Sequence, residues 1–76
     1  MDNRVTGIDH LRRLVRGGQH RFYIRLNHGL RSSKYVTESA DGEIWVENDV
    51  DGSECRLSDT NLYEAIKKGA LYYEQD

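Results

Sequence analysis

The chain has little that would tie it to a membrane or to an oxidising compartment. Cys55 is the one cysteine among 76 residues, so no internal disulfide can staple the fold. No apolar run approaches the roughly 18 residues that a membrane span requires, and the opening Met1-Asp2-Asn3-Arg4 lacks the apolar stretch of a secretory leader. These absences predict a reducing, cytoplasmic setting and no membrane partner. No repeat, linker or low-complexity segment interrupts the sequence, so residues 1–76 read as a single domain. A domain of this size buries roughly 60% of the surface of its unfolded chain, which predicts modest stability.

What is present is a folded composition with an uneven charge. Hydrophobic residues make up 37% and charged residues 32% of the chain, which excludes a disordered tail. The formal net charge of -2 hides a division. Residues 1–38 carry eight Lys/Arg against three acids, a balance of +5; residues 39–76 carry three against ten, a balance of −7. Such a division suits a nucleic-acid or acidic partner for the basic half. It equally suits two halves that lie against each other and neutralise internally, and in so small a domain that reading comes somewhat ahead.

Periodicity gives the architecture. Thr6-Gly7-Ile8-Asp9 reads as a helix start, with the Thr6 hydroxyl placed to accept a first-turn N–H and Asp9 suited to the positive end of the helix dipole. Ile8, Leu11, Leu14 and Val15 form its apolar stripe, and Gly17-Gly18 ends it. Arg21–Lys34 is the stretch around which the rest is organised. From Phe22 to Asn27 it alternates, Phe22, Ile24 and Leu26 against Tyr23, Arg25 and Asn27, as a half-buried strand does. Asn27-His28-Gly29 then reads as the exit from the strand into a polar connection that holds Arg31, Ser32, Ser33 and Lys34.

Further strands are predicted at Tyr35–Glu38, at Ile44–Asn48 with Ile44 and Val46 inward, and at Glu54–Leu57 with Cys55 and Leu57 inward. Turns at Asp41-Gly42 and Asp51-Gly52 join them. A second helix carries Leu62, Ala65 and Ile66, with Asp59, Thr60 or Asn61 as its cap and Gly69 as its terminator. Residues 70–73 fit either a frayed helix end or an edge strand. The expected fold is α+β: an antiparallel β-meander of three to four strands with an N-terminal and a C-terminal helix packed on one face. Its core is Phe22, Ile24, Leu26, Ile44, Val46 and Leu57 against Leu11, Leu14, Leu62 and Ile66.

Three stretches together resemble a known group. Asn27-His28-Gly29-Leu30-Arg31-Ser32-Ser33-Lys34, Val50-Asp51-Gly52-Ser53-Glu54 and Glu64-Ala65-Ile66-Lys67-Lys68-Gly69-Ala70-Leu71 are similar to short uncharacterised proteins carried by bacteriophages and integrated mobile elements. The resemblance spans about Leu11 to Leu71, with His28 where that group's pattern has a second glycine. It implies a compact accessory protein from a phage or mobile-element context and brings no catalytic residue with it. Small phage proteins include inhibitors of host enzymes, which is an analogy of context alone.

The chemistry-bearing residues mostly have plain readings. Glu47-Asn48-Asp49-Val50-Asp51-Gly52 has the alternating oxygens of a calcium loop, but Ser58 stands at the twelfth position and the flanks read as strands, so an acidic turn is expected. His10, His20, His28 and Cys55 match no zinc spacing, and no metal or cofactor is expected. Neither Cys55 nor Ser33 sits in a nucleophile signature, so the chain reads as a non-enzymatic interaction protein. The residues expected to bind are Arg25, His28, Arg31, Ser33 and Lys34, with Trp45 as an aromatic anchor. A host or self protein is the expected partner, and a homo-oligomer is compatible with it. The alternative is nucleic acid, bound by the basic half with Tyr23 and Tyr35 stacking on bases.

Overall fold

The computed structural model describes residues 3–25, 31–47 and 51–74, with the backbone alone for Arg31 and Ser32. The elements are α1 (Ile8–Arg16), β1 (Arg21–Arg25), β2 (Arg31–Glu38), β3 (Ile44–Glu47), β4 (Glu54–Arg56), α2 (Asn61–Lys68) and β5 (Leu71–Tyr73). The strands form one antiparallel sheet in the order β4-β3-β2-β1-β5. This is the expected α+β class, with five strands where three to four were expected. The ambiguous segment is β5, paired with β1, so the last described element is a strand rather than a helix.

Both helices cover one side of the sheet. Residues directly opposed across antiparallel strands share a face, and the register sets Phe22 beside Tyr73, Ile24 beside Leu71, and Val36 beside Val46. These side chains meet Leu11 and Val15 of α1 and Leu62, Ala65 and Ile66 of α2 in one buried cluster. Eight of the ten expected core residues are buried in it, Leu14 packs against its margin, and Leu26 lies outside the described residues. Val5 and Leu71, both fully buried, complete it. The Val5 N–H donates to the Leu71 carbonyl at 2.8 Å and the Tyr73 N–H to the Asn3 carbonyl at 3.0 Å. The segment before α1 thus lies along the outer edge of β5 and satisfies backbone groups an edge strand leaves open.

Several local expectations are corrected. The polar run Arg31–Lys34 is the first half of β2, not a surface connection. Paired with β1 along its whole length, and continuous with Tyr35–Glu38 that β3 also pairs, it gains ladder hydrogen bonds that outweigh the weak strand preference of two serines. Cys55 is exposed rather than in the core, because β4 is an edge strand with all three residues open to solvent. Leu57 is buried, but it opens a 3₁₀ turn (Leu57–Asp59) instead of ending β4.

Thr6 does not cap α1 through its hydroxyl. The His10 ring does the reciprocal work: its Nδ1 accepts the Thr6 N–H at 3.1 Å, so in the neutral ring the proton sits on Nε2. Helix α2 is capped by Thr60, whose Oγ1 accepts the Leu62 N–H at 3.3 Å. The left-handed position that ends α1 is Gly18, at φ 102°, one residue beyond the C-cap.

Candidate functional site: the open face of the sheet

The side of the sheet away from the helices has no element over it among the described residues. On an antiparallel sheet with one solvated face, outward positions are expected to be polar. Here they include four aromatic rings: Tyr72 on β5, Tyr23 on β1, Tyr35 on β2 and Trp45 on β3. Strand alternation and the register set them there. Tyr23 is opposite Tyr72 on one side and Ser33 on the other; Trp45 is opposite Thr37 and Arg56.

The rings are organised by the cations around them. Tyr23 and Tyr72 stack with centroids 5.4 Å apart and planes 14° from parallel. The Arg25 guanidinium lies 4.8 Å from the Tyr72 centroid. Tyr35 stacks on His20 at 5.4 Å, with the Arg21 guanidinium 5.7 Å from its centroid. Trp45 takes Arg56 at 5.7 Å. The His20 ring is fixed in turn by Nδ1–H donating to the Val36 carbonyl at 2.9 Å. Tyr23 is 4% exposed, whereas Tyr35, Trp45 and Tyr72 are half-buried. Stacking between side chains of adjacent strands stands the tyrosine rings on edge, so their faces are used within the protein.

Three of the six residues expected to bind share this face. Arg25 and Trp45 belong to the aromatic-cation set, and Ser33 donates its hydroxyl to Glu74 Oε1 at 3.0 Å. Lys34 does not join them. It is opposite Phe22, hence on the helix side, where it borders a cleft of about 230 Å³ with Cys55, Asp59, Thr60 and Asn61. His28 lies outside the described residues; Arg31 is placed by its backbone opposite Arg25. The expected loop site is therefore divided between two faces. The sequence reading counted Arg21 only among the cations of the nucleic-acid alternative, missed Arg56, and named the tyrosines without uniting them. Outward alternation through Arg21, Tyr23 and Arg25 was the available signal; assigning Tyr72 to a strand would have completed it.

The charge division resolves locally in one place. Arg16 grips Glu38 with two hydrogen bonds, Nε to Oε1 at 2.8 Å and Nη2 to Oε2 at 3.0 Å, and Arg12 Nε stands 3.5 Å from Oε2. All three residues belong to the basic half, so this neutralisation is internal to it. The hydrogen bonds from Arg16, with the Arg16 and Arg12 charges, hold the Glu38 carboxyl below its ordinary range against the opposing effect of burial. Asp41 is lowered by the Ser39 hydroxyl and the Glu43 N–H, and Asp51 by the Ser53 N–H and hydroxyl. These two carboxylates brace turns.

Among the described residues no three His, Cys, Asp or Glu side chains converge on a metal-sized centre. A larger concavity, of about 490 Å³, lies between the start of α1 and α2, bordered by His10, Arg13, Tyr63 and Lys67. Its His10 is committed to Thr6 and its Lys67 ammonium rests 4.6 Å from the Tyr63 centroid. No described helix is long and apolar enough to cross a membrane. No protein-family model, curated protein or solved structure matches the chain.

Proposed function

We propose that this protein is a small non-enzymatic interaction module that docks another protein, of host or self origin, on the open face of its sheet. The observation that carries the reading is the set of half-buried rings with arginines laid against them on a face that no described element covers. Trp, Tyr and Arg are the residues that dominate binding energy at protein interfaces, and preformed ring–guanidinium contacts reduce the entropy lost on docking. Trp45 with Arg56, and Tyr72 with Arg25, are the two anchors. The phage or mobile-element origin implied by the resemblance, and a cytoplasmic setting, are part of the same proposal.

Base stacking is the second reading, and the ring geometry works against it. A stacking platform presents ring faces to single-stranded bases, whereas Tyr23, Tyr72 and Tyr35 spend theirs on each other, on His20 and on arginines. The acids Glu47 and Glu54 on the same face oppose a polyanion.

Recovery of partners from host extract tests the proposal. The Trp45→Ala, Arg25→Ala double variant should lose the protein partner that the wild type retains. An Arg13→Ala, Lys67→Ala variant on the helix side should keep it. Loss only in the helix-side variant would refute the choice of face.

A further inference from the structure

We infer that the exposed edge of β4 pairs with the same edge of a second copy, antiparallel, in the register that sets the two Cys55 residues opposite each other. The inference concerns the edge of the sheet and stands apart from the proposal for its open face.

The two edges of the sheet differ. The outer edge of β5 is covered by the segment before α1, through Val5 and Asn3. The outer edge of β4 has no partner among the described residues, and Glu54, Cys55 and Arg56 are all exposed. The ladder decides which backbone groups that edge presents. The Val36 N–H donates to the His20 carbonyl at 2.8 Å, so Val36 turns its backbone groups away from β3. Residues opposed in an antiparallel pair either exchange both hydrogen bonds or both point away. Val46, opposite Val36, therefore directs its groups to β4, and Cys55, opposite Val46, directs its own back to β3. The groups left open on the edge are those of Glu54 and Arg56.

A second copy run antiparallel about Cys55 meets these groups in full. Glu54 of each copy stands opposite Arg56 of the other, and each such pair exchanges both N–H···O bonds. The side chains agree with the backbone. Glu54 and Arg56 lie on the face that carries Trp45, so each carboxylate meets a guanidinium across the new ladder. A uniformly basic strand would satisfy Glu54 and oppose Arg56, and an acidic one the reverse. The order along β4 is anion, thiol, cation. Read antiparallel, that order is its own complement.

The neighbouring charges set the strength of the contact. Glu54 has Glu47 opposite it on β3 and forms no ion pair with a described residue, so Arg56 of the second copy supplies a missing cation. Within its own copy Arg56 rests on Trp45 and acts on Asp41 through its charge. Lys34 and Asp59 border the cleft on the Cys55 side. Asp51, folded onto Ser53, and Asp59 lie past the two ends of β4. There the acids of two copies oppose each other and limit the pairing to the strand itself. The dimer is weak.

Oxidative crosslinking of the full chain tests the register. In it the two Cys55 residues form a non-hydrogen-bonded pair with Cα atoms about 4.5 Å apart, inside the roughly 4.4–6.8 Å that a disulfide spans. Diamide joins them, taking up the two electrons and two protons released as the S–S bond forms. At about 100 μM, a level suited to so small a contact, the wild type should give a covalent dimer. Glu54→Arg alone and Arg56→Glu alone set like charges against each other twice and should slow its formation roughly tenfold. The double variant Glu54→Arg, Arg56→Glu reverses the order, keeps it self-complementary and should crosslink at the wild-type rate. An equimolar mixture of the two single variants should yield the mixed dimer, resolved by mass, in preference to either homodimer. That preference requires both variants to be folded. Alkylation by iodoacetamide, which reads the lone thiol, normalises each rate. Equal normalised rates in all four proteins, a double variant as slow as the single ones, or a statistical mixture of dimers overturns the inference.

Discussion

Tyr23 and Tyr72 face each other across β1 and β5, centroids 5.4 Å apart and planes 14° from parallel, with the Arg25 guanidinium 4.8 Å from the Tyr72 ring. This arrangement uses ring faces for contacts within the protein. On the proposed reading, rings so engaged suit docking of a protein better than stacking of bases. Random duplex or single-stranded DNA should therefore bind no tighter than about 10 μM at about 150 mM salt, weaker than specific nucleic-acid readers. Fluorescence anisotropy checks this, and submicromolar affinity falling steeply with salt would reverse the ranking.

Acid should weaken the fold through Glu38. Its carboxyl is held below the ordinary value of 4.5, mainly by the hydrogen bonds from Arg16. A group depressed in the folded state binds protons more readily when unfolded, so its contribution is present above that ordinary value and lost as pH falls through the folded one. Urea unfolding as a function of pH should show this loss below about pH 4.5, and Glu38→Gln should flatten that limb. An unchanged acid limb in Glu38→Gln would show that α1 is not tied to the end of β2 through this carboxylate.

Leu71 ties the last strand to both the core and the segment before α1. Its side chain is fully buried and its carbonyl accepts the Val5 N–H at 2.8 Å. Leu71→Ala should cost about 2–5 kcal/mol in denaturant unfolding, a large share of the stability of so small a domain. A cost under about 0.5 kcal/mol, the range of surface substitutions, would contradict the burial.

Gly69 is set by backbone geometry. It ends α2 at φ 72°, and a Cβ built there meets only the Arg4 side chain, at 3.6 Å. Space is adequate, so the cost of Gly69→Ala should be the left-handed penalty alone, roughly 1–2 kcal/mol. Thermal unfolding of Gly69→Ala measures it. A larger loss would point to a packing conflict.

The periodic parts of this fold were legible in the residues. Ile8, Leu11 and Val15 at helical spacing, and Ile44 and Val46 at strand spacing, identify the buried faces because periodicity reports burial directly. Arg31–Lys34 was not legible: its strand character comes from pairing with β1, and no local preference encodes pairing. Leu71–Tyr73 was hidden for a related reason, since three residues are too few to show a period. Val5 gave no signal at all; its burial depends on the edge of a strand nearly seventy positions away. Arg25, Ser33 and Trp45 were found because cations, hydroxyls and a lone tryptophan stand out by type. That Lys34 faces the other way follows only once the run that holds it is a strand.

On the proposed reading the open face of the sheet, and not the helix side, is the working surface. The most direct measurement places a photo-crosslinking phenylalanine derivative at Trp45 in one full-length variant and at the exposed Arg13 in another, each expressed in the native host. Irradiation should give discrete protein adducts from position 45, to a second copy or to another protein, and little from position 13. Adducts equal or stronger from position 13, or adducts to nucleic acid from position 45, would rule out protein docking on the open face.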